Sequence, residues 1–332
     1  MHNRTDWIDY CKAIGIILVV YGHVVRGLLK AGINDNLIVH QYIDSVIYTF
    51  HMPLFFFLSG LFFLQTLHKY GAAGLLNKKI DTLFYMYVIW SLLQGGIEVA
   101  LSQFTNNTTS MSEVVSLLIE PRMQFWFLYA LIILFVLTTF IYKVIPKLPA
   151  SVLIGVSALL YIYAAELPQG LNSYFIYQNL IFFTLGIGVY QLNDLRMHFN
   201  MPIFIALIGA FIASQYLFHL NHTYQDRGFY SLITATIAIS MVVQAALGLM
   251  RFELRWLKLI GVYSLSIYLI HILTGSGIRV VLTKVLTIDN FYIHLLCGLL
   301  FGLLFPMIIQ YGVEKNRLRY VFSAPISKLW RT

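Results

Sequence analysis

A few histidines, lysines and acids stand out in this chain because almost everything around them is apolar. Lys12 and His23 bracket a run of aliphatic residues, and His51 opens on Met52-Pro53-Leu54-Phe55-Phe56-Phe57-Leu58-Ser59-Gly60. His271 closes the stretch Gly261-Val262-Tyr263-Ser264-Leu265-Ser266-Ile267-Tyr268-Leu269-Ile270. An imidazole can relay a proton or attack a carbonyl. In lipid an ionisable group is costly, so it faces protein or water and marks a functional candidate by default. The spacing of the first pair adds to this. Eleven residues of α-helix rise about 16 Å and leave the two side chains within roughly 20° of one face. One helix then presents a cation at the membrane surface and an imidazole about halfway across, a layout suited to a long substrate with an anionic head.

The neighbours of these residues extend the candidate set. Pro53 frees backbone groups just after His51, tolerable in a membrane only where protein or water satisfies them. Asp44 lies two turns before His51 and would share its face, and so orient an imidazole or substrate, if the helix extends that far. Ser59 and Gly60 read as packing residues that let another helix approach. Lys78 and Lys79 precede the third apolar run, where they serve as topology signals or capture phosphates as point charges. Trp126 belongs at an interface, where an indole anchors the chain or stacks on a sugar ring. Glu98 is an acid near the end of an apolar run, with no partner evident in the sequence. Ser264, Ser266 and Tyr268 fit interhelical hydrogen bonding as well as chemistry.

The elements that must position these groups follow from composition. Of 332 residues, 59% are hydrophobic and 11% charged, against about 45–50% and 25% in soluble domains. The expected fold is therefore an all-α polytopic membrane protein surrounded by membrane lipids. Apolar runs long enough to span a bilayer lie near 13–29, 45–64, 80–101, 125–142, 150–165, 174–191, 202–219, 229–250, 257–282 and 291–313. With the N-terminus in the cytoplasm, 16 of the 22 Lys and Arg residues fall in inside segments. That asymmetry follows the positive-inside rule and makes both termini cytoplasmic. It also explains the net charge of +8 without nucleic acid, because the basic residues sit between spans and not on one soluble face. Asp6 and Asp9 before the first run, with no small-residue cleavage site after it, argue against a cleavable signal peptide. No CxxC or His/Cys cluster points to a metal. Residues 1–332 read as one transmembrane domain, with a core over about 6–313 and a basic tail over 314–332.

At Asp9-x-x-Lys12 through Gly22-His23, Phe50–Gly60, Trp126-Phe127-Leu128 and Gly261–His271, the chain resembles the acyltransferase-3 family of integral membrane acyltransferases. The stand-alone sugar O-acetylases of the fucose 4-O-acetylase type are the nearest branch. The resemblance implies transfer of an acyl group, usually acetyl, from cytoplasmic acyl-CoA to a carbohydrate hydroxyl across the bacterial inner membrane. Acetyl-CoA is then the donor, and the acceptor is a lipid-linked or polymeric carbohydrate such as O-antigen, exopolysaccharide, a periplasmic glucan or a nodulation-type oligosaccharide. In the family pattern a basic residue, usually Arg, stands where this chain has Lys12. After Lys78-Lys79, where many relatives have Arg and a Pro-Tyr pair, this chain has Asp81, Thr82 and Met86-Tyr87.

Residue chemistry and resemblance point the same way. Lys12, Lys78 and Lys79 are placed to hold CoA phosphates. The pantetheine arm of about 15–20 Å is comparable to the Lys12–His23 rise. His23 is placed as general base on the sugar hydroxyl or as acyl carrier. His271 or His51 then polarises the thioester or protonates the leaving thiolate. Asp44, Trp126 and Glu98 are the candidate substrate contacts. The competing class is a secondary transporter or flippase with Lys12 and the histidines lining a pathway; inverted repeats would favour it, and the sequence shows none.

Overall fold

The computed structural model describes residues 6–33, 37–100, 110–168, 170–192, 197–318 and 320–330. Arg4, Arg196, Arg319 and Arg331, four of the basic residues counted above, lie outside them. Fourteen α-helical stretches make up the described chain, the fourth of them kinked at Gly71 (φ 68°), with no strand among the described residues. They are α1 (Asp6–Lys30), α2 (Leu37–Tyr48), α3 (His51–Leu61), α4 (Phe63–Lys79), α5 (Tyr85–Ala100), α6 (Met111–Val115) and α7 (Trp126–Val144). After these come α8 (Ala150–Ile162), α9 (Tyr174–Gln191), α10 (Met201–His219), α11 (Phe229–Met250), α12 (Arg255–Val262), α13 (Ser264–Val280) and α14 (Phe291–Lys315).

All ten apolar runs fall on helical segments. Eight of these segments are long and apolar enough to cross a membrane. The runs at 150–165 and 174–191 fall on α8, with 13 residues, and α9, with 18. End signals match the helices. Asp6 and Asp9 in the first turn of α1 and Lys30 in its last complement the helix dipole. The Asn200 and Asn290 side chains accept the Ile203 and Ile293 amides, at 3.0 and 3.1 Å, capping α10 and α14. On α10, Ile203, Ile205 and Ile212 are exposed. Such a face is a liability in water and the ordinary condition in lipid.

Three spans differ from the sequence expectation. The second run breaks: α2 ends at Tyr48, Phe50 has φ −138° and ψ −21°, and α3 starts at His51. Pro53 is the cause, since it has no N–H for the Thr49 carbonyl four residues back and its ring crowds that carbonyl. The condition for Asp44 to share a helical face with His51 is therefore not met. The third run starts earlier than expected. Helical structure runs from the end of α4 through a π-helical turn at Ile80–Phe84 into α5, so Lys78 and Lys79 form the last residues of α4. The ninth run is interrupted at Tyr263, which separates α12 from α13.

The chain forms two compact units. The first comprises residues 1–15, 42–75 and 133–262, and the second residues 16–41, 76–132 and 263–332. In the first unit α3 packs on α9 through glycine. A Cβ on Gly60 would overlap the Phe183 carbonyl, and one on Gly186 the Phe57 carbonyl. Lipid offers helices no hydrophobic drive to associate, so close backbone approach through small residues supplies the packing. This is the role expected for Gly60, while the Ser59 hydroxyl bonds its own helix at the Phe55 carbonyl, 2.8 Å away. A Cβ on Gly261 would likewise overlap the Asp9 carbonyl, seating α12 against the start of α1, where Lys258 pairs with Asp6 at 2.8 Å.

In the second unit α13 and α14 pack side by side. Gly298 and Gly302 open one face of α14 to α1. A Cβ on either would stand 2.7 Å from a methyl group, of Val24 and Val20 respectively. Leu28 and Ile33 close that end against Phe291, and the Arg279 guanidinium donates to the Gly27 carbonyl at 2.8 Å.

Candidate active site

The approach of α1 to α13 and α14 brings two imidazoles together. His23 and His271 face each other edge to face, with ring centroids 5.0 Å apart and planes at 61°. His271 is 1% exposed. Its Nδ1 lies 2.9 Å from the Ile267 carbonyl and 2.8 Å from the Tyr268 carbonyl. Carbonyls only accept, so Nδ1 carries the hydrogen and Nε2 of the neutral ring is left as an acceptor. That Nε2 is buried and has no hydrogen-bond partner among the described residues. Buried nitrogens are almost always bonded, so an orphan of this kind calls for an explanation. His40 and His294 also keep a buried nitrogen without a partner. What distinguishes His271 is the second imidazole opposite it.

A polar network fixes the α13 side of this pair. The Tyr268 hydroxyl donates to the Gln124 carbonyl. The Gln124 amide donates to Gln94 Oε1 at 2.7 Å, and Gln94 Nε2 donates to Glu98 at 2.9 Å. Glu98 ends the series in an ion pair with Arg122, also at 2.9 Å. Gln94 and Gln124 are 2% and 3% exposed, so their amides must find protein partners or stand unsatisfied at a cost of about 1–3 kcal/mol each. Gly95 makes room for the pair, since a Cβ there would press on Val114 and the Arg122 guanidinium. Phe127 packs edge to face on Tyr268 at 5.7 Å, and half-buried Trp126 lies against Phe127 at 6.4 Å.

An acyltransferase domain model matches residues 5–311, nearly the whole chain. The chain belongs to the acyltransferase-3 family. Its relatives include the nodulation protein NolL of Sinorhizobium fredii, 29% identical over 138 residues, covering 41% of this chain and 36% of that protein. The protein of the same name in Mesorhizobium japonicum is 32% identical over 151 residues, covering 42% and 37%. The aligned region thus spans little more than a third of either relative's length. No solved structure matches the chain.

Within this acyltransferase-3 domain the expected site residues distribute as follows. His23 and His271 form the pair, both in the second unit. Trp126, Glu98, Lys78 and Lys79 belong to the same unit. Glu98, without an evident partner in the sequence, has two in Arg122 and Gln94. Lys79 is half-buried and Lys78 exposed at the end of α4. Lys12 belongs to the first unit and pairs with Asp9 at 3.2 Å, so the Asp9-x-x-Lys12 motif is an ion pair one helical turn long. α1 is unbroken from Asp6 to Lys30, which preserves the eleven-residue helical spacing of Lys12 and His23.

His51 and Asp44 are also in the first unit, both buried. His51 Nδ1 donates to the Ile47 carbonyl at 2.8 Å, and Tyr48 packs edge to face on its ring with centroids 4.7 Å apart. Nearby α2 and α10 form a polar seam. The Ser45 hydroxyl donates to His219 Nε2 at 2.9 Å, and Gln215 donates to the Thr49 hydroxyl at 2.8 Å.

Sequence reasoning did not reach Gln94, Gln124 or the pairing of Arg122. One signal was available: Gln94 and Glu98 are four residues apart on an apolar helix, hence on one face. Their partners lie about thirty residues on, beyond any local pattern.

Proposed function

We propose that this chain moves an acetyl group from acetyl-CoA to a hydroxyl of a cell-surface or lipid-linked carbohydrate, with His23 and His271 at the reacting centre. The observation that carries the reading is the facing imidazole pair at 5.0 Å, one member held with an unbonded, acceptor Nε2, inside an acyltransferase domain. In the reaction His23 accepts the proton of the sugar hydroxyl as that oxygen attacks the thioester carbon. The carbon–sulfur bond breaks, and the departing CoA thiolate takes a proton from the imidazolium. A two-step variant has His23 attack first, release the CoA thiol and pass the acetyl from its ring nitrogen to the sugar oxygen. His271, through its unbonded Nε2, is the second base, sharing the proton with His23. His51 is a further imidazole for polarising the thioester.

Donor binding falls to Lys12, Lys78 and Lys79, whose ammonium groups hold phosphates as point charges. Trp126, Glu98 and Asp44 are the proposed carbohydrate contacts, the indole by stacking and the acids by accepting hydroxyl protons. With the N-terminus cytoplasmic, as the basic residues favour, the acetyl group enters from the cytoplasm and leaves on the far side of a bacterial inner membrane. Among the acceptors to be tried, the nodulation-type oligosaccharide comes first, because two relatives are nodulation proteins.

The test is transfer of radiolabelled acetyl from acetyl-CoA in membranes holding wild type, His23→Ala or Lys12→Ala, with the host's glycolipids and polysaccharides supplied. Labelled sugar with wild type and none with His23→Ala is the expected result. A Lys12→Ala loss rescued by high acetyl-CoA assigns Lys12 to the donor. Equal background in wild type and His23→Ala, with protein and acceptor verified, rejects the acetylase reading.

A further inference from the structure

Asp81 stands two residues after Lys79, and an acid is out of place at a mouth that takes the phosphates of a CoA thioester. Its carboxylate is occupied from the other end of the chain. Oδ1 accepts the main-chain N–H of Ser327 at 2.7 Å and Oδ2 accepts the Ser327 hydroxyl at 2.8 Å. The Asp81 carbonyl accepts the Ala324 N–H at 3.0 Å. Further along, Trp90 donates its indole N–H to the Val321 carbonyl at 3.1 Å and stacks on Phe322, with centroids 5.7 Å apart and planes at 17°. The Tyr85 hydroxyl donates to the Tyr320 carbonyl at 2.6 Å.

Residues 320–330 are therefore a strap held on the π-helical turn Ile80–Phe84 and the first two turns of α5. Most of these bonds go to the strap's main chain, so they specify its path as well as its attachment. The segment lies beyond the acyltransferase match, which ends at residue 311. The strap joins the turn that directly follows Lys78 and Lys79. Ser327 is buried in the latch, and the next residue, Lys328, is exposed. The latch thus engages the acid and sets an exposed lysine next to the residue that holds it.

We infer that the strap is part of the donor site, with Asp81 and Ser327 as its latch and Lys328 as a third phosphate-binding cation beside Lys78 and Lys79. This rests on the acetyl-CoA reading above. Lysine binds phosphate as a point charge, so its contribution grows with the charge on the donor and falls with salt.

The experiment compares acetyl-CoA with acetyl-dephospho-CoA, which lacks one phosphate group, in the full-length protein. Lys328→Ala is expected to raise KM for acetyl-CoA about fivefold to tenfold, the effect of losing one charge-assisted contact, and to leave KM for the dephospho donor nearly unchanged. Asp81→Ala, which releases the strap, is expected to reproduce that rise, and the double variant to add little. Wild-type KM values for both donors in Lys328→Ala overturn the inference while leaving the acetylase reading intact. A second arm follows the melting temperature of the purified protein with added CoA. A CoA-dependent rise in wild type that Lys328→Ala loses supports the strap even without a suitable acceptor. Equal rises overturn it, and no rise in wild type overturns donor and strap together.

Discussion

His271 on α13 and His219 on α10 belong to different units, and each donates Nδ1–H to a carbonyl one turn back, Ile267 and Gln215, at 2.9 Å. They part at the other nitrogen. His219 Nε2 takes the Ser45 hydroxyl at 2.9 Å, which completes the bonding of a neutral ring. His271 Nε2 is buried and has no such partner, and its ring packs edge to face with that of His23. Two imidazoles anchored alike are thus separated by one atom. With both nitrogens engaged the ring is a structural link; with one held back beside a second imidazole it is available as a base. The surrounding contacts follow the same division. His219 lies in a seam where side chains of α10 bond Ser45 and Thr49, whereas the His271 anchor at Tyr268 adjoins a polar network of Gln124, Gln94, Glu98 and Arg122.

The sharpest way to break this comparison is to remove each unengaged or engaged nitrogen without disturbing the backbone bond. His271→Asn keeps an amide N–H where Nδ1–H stood and deletes Nε2. Acetyl transfer should fall about 10²–10⁴-fold, the usual scale of general acid–base catalysis, with the melting temperature held. His23→Ala should lose as much. If His271→Asn retains more than a third of the wild-type rate, the orphan nitrogen is not chemical, and the distinction from His219 fails.

Next in size is the packing that makes the pair. Gly302→Leu forces a side chain into space where even a Cβ would stand 2.7 Å from Val20. Overpacking of this kind costs about 1–3 kcal/mol. Because His271 lies on the neighbouring helix, transfer should fall with the melting temperature. Gly302→Ala combined with Val20→Ala should recover both, as measured by transfer rate and thermal denaturation in detergent. Recovery of stability without activity would mean that the spacing of α1 and α14, and not the overlap alone, sets the ring geometry.

A smaller effect is expected from Tyr268→Phe, which removes the hydroxyl and leaves the buried Gln124 carbonyl without that donor, a penalty of about 1–3 kcal/mol. The His271 anchor on the Tyr268 main chain survives. kcat should drop about tenfold as the helix loses its tether, with KM for the donor little changed. A rise in KM alone would assign Tyr268 to binding instead.

How much of this was legible in the sequence differs from residue to residue. The helical character and the approximate place of the apolar runs follow from hydropathy, and the cost of burying an imidazole marks His23 and His271 as candidates. That these two histidines meet is harder to read. Residue counting gives depth along a helix, while the direction a side chain faces depends on contacts such as Gly302 on Val20, which no local pattern encodes. Pro53 was visible as a source of disruption, but its result, a break at Thr49–Phe50 that separates Asp44 from the helix of His51, depends on which carbonyl loses its donor. The Gln94–Gln124 pairing and the strap latched at Asp81 join residues about 30 and 246 positions apart. Both rest on geometry that only the folded chain supplies.

The smallest effect should come from the seam itself, and it sharpens the comparison from the other side. His219→Gln keeps an acceptor within reach of Ser45, and Ser45→Ala removes the donor. Each exchanges one part-buried hydrogen bond for none or a poorer one, a loss of about 0.5–1.5 kcal/mol. Thermal denaturation should register that loss, while the transfer rate stays within about threefold of wild type, since a nitrogen already occupied by a hydroxyl has no proton capacity to lose. Double-variant analysis of Ser45→Ala with His219→Gln should give a coupling near the single losses, because both delete the same bond. A hundredfold drop in transfer from either variant, with stability near wild type, would make Ser45 and His219 a nucleophile and its base and move the chemistry to the first unit.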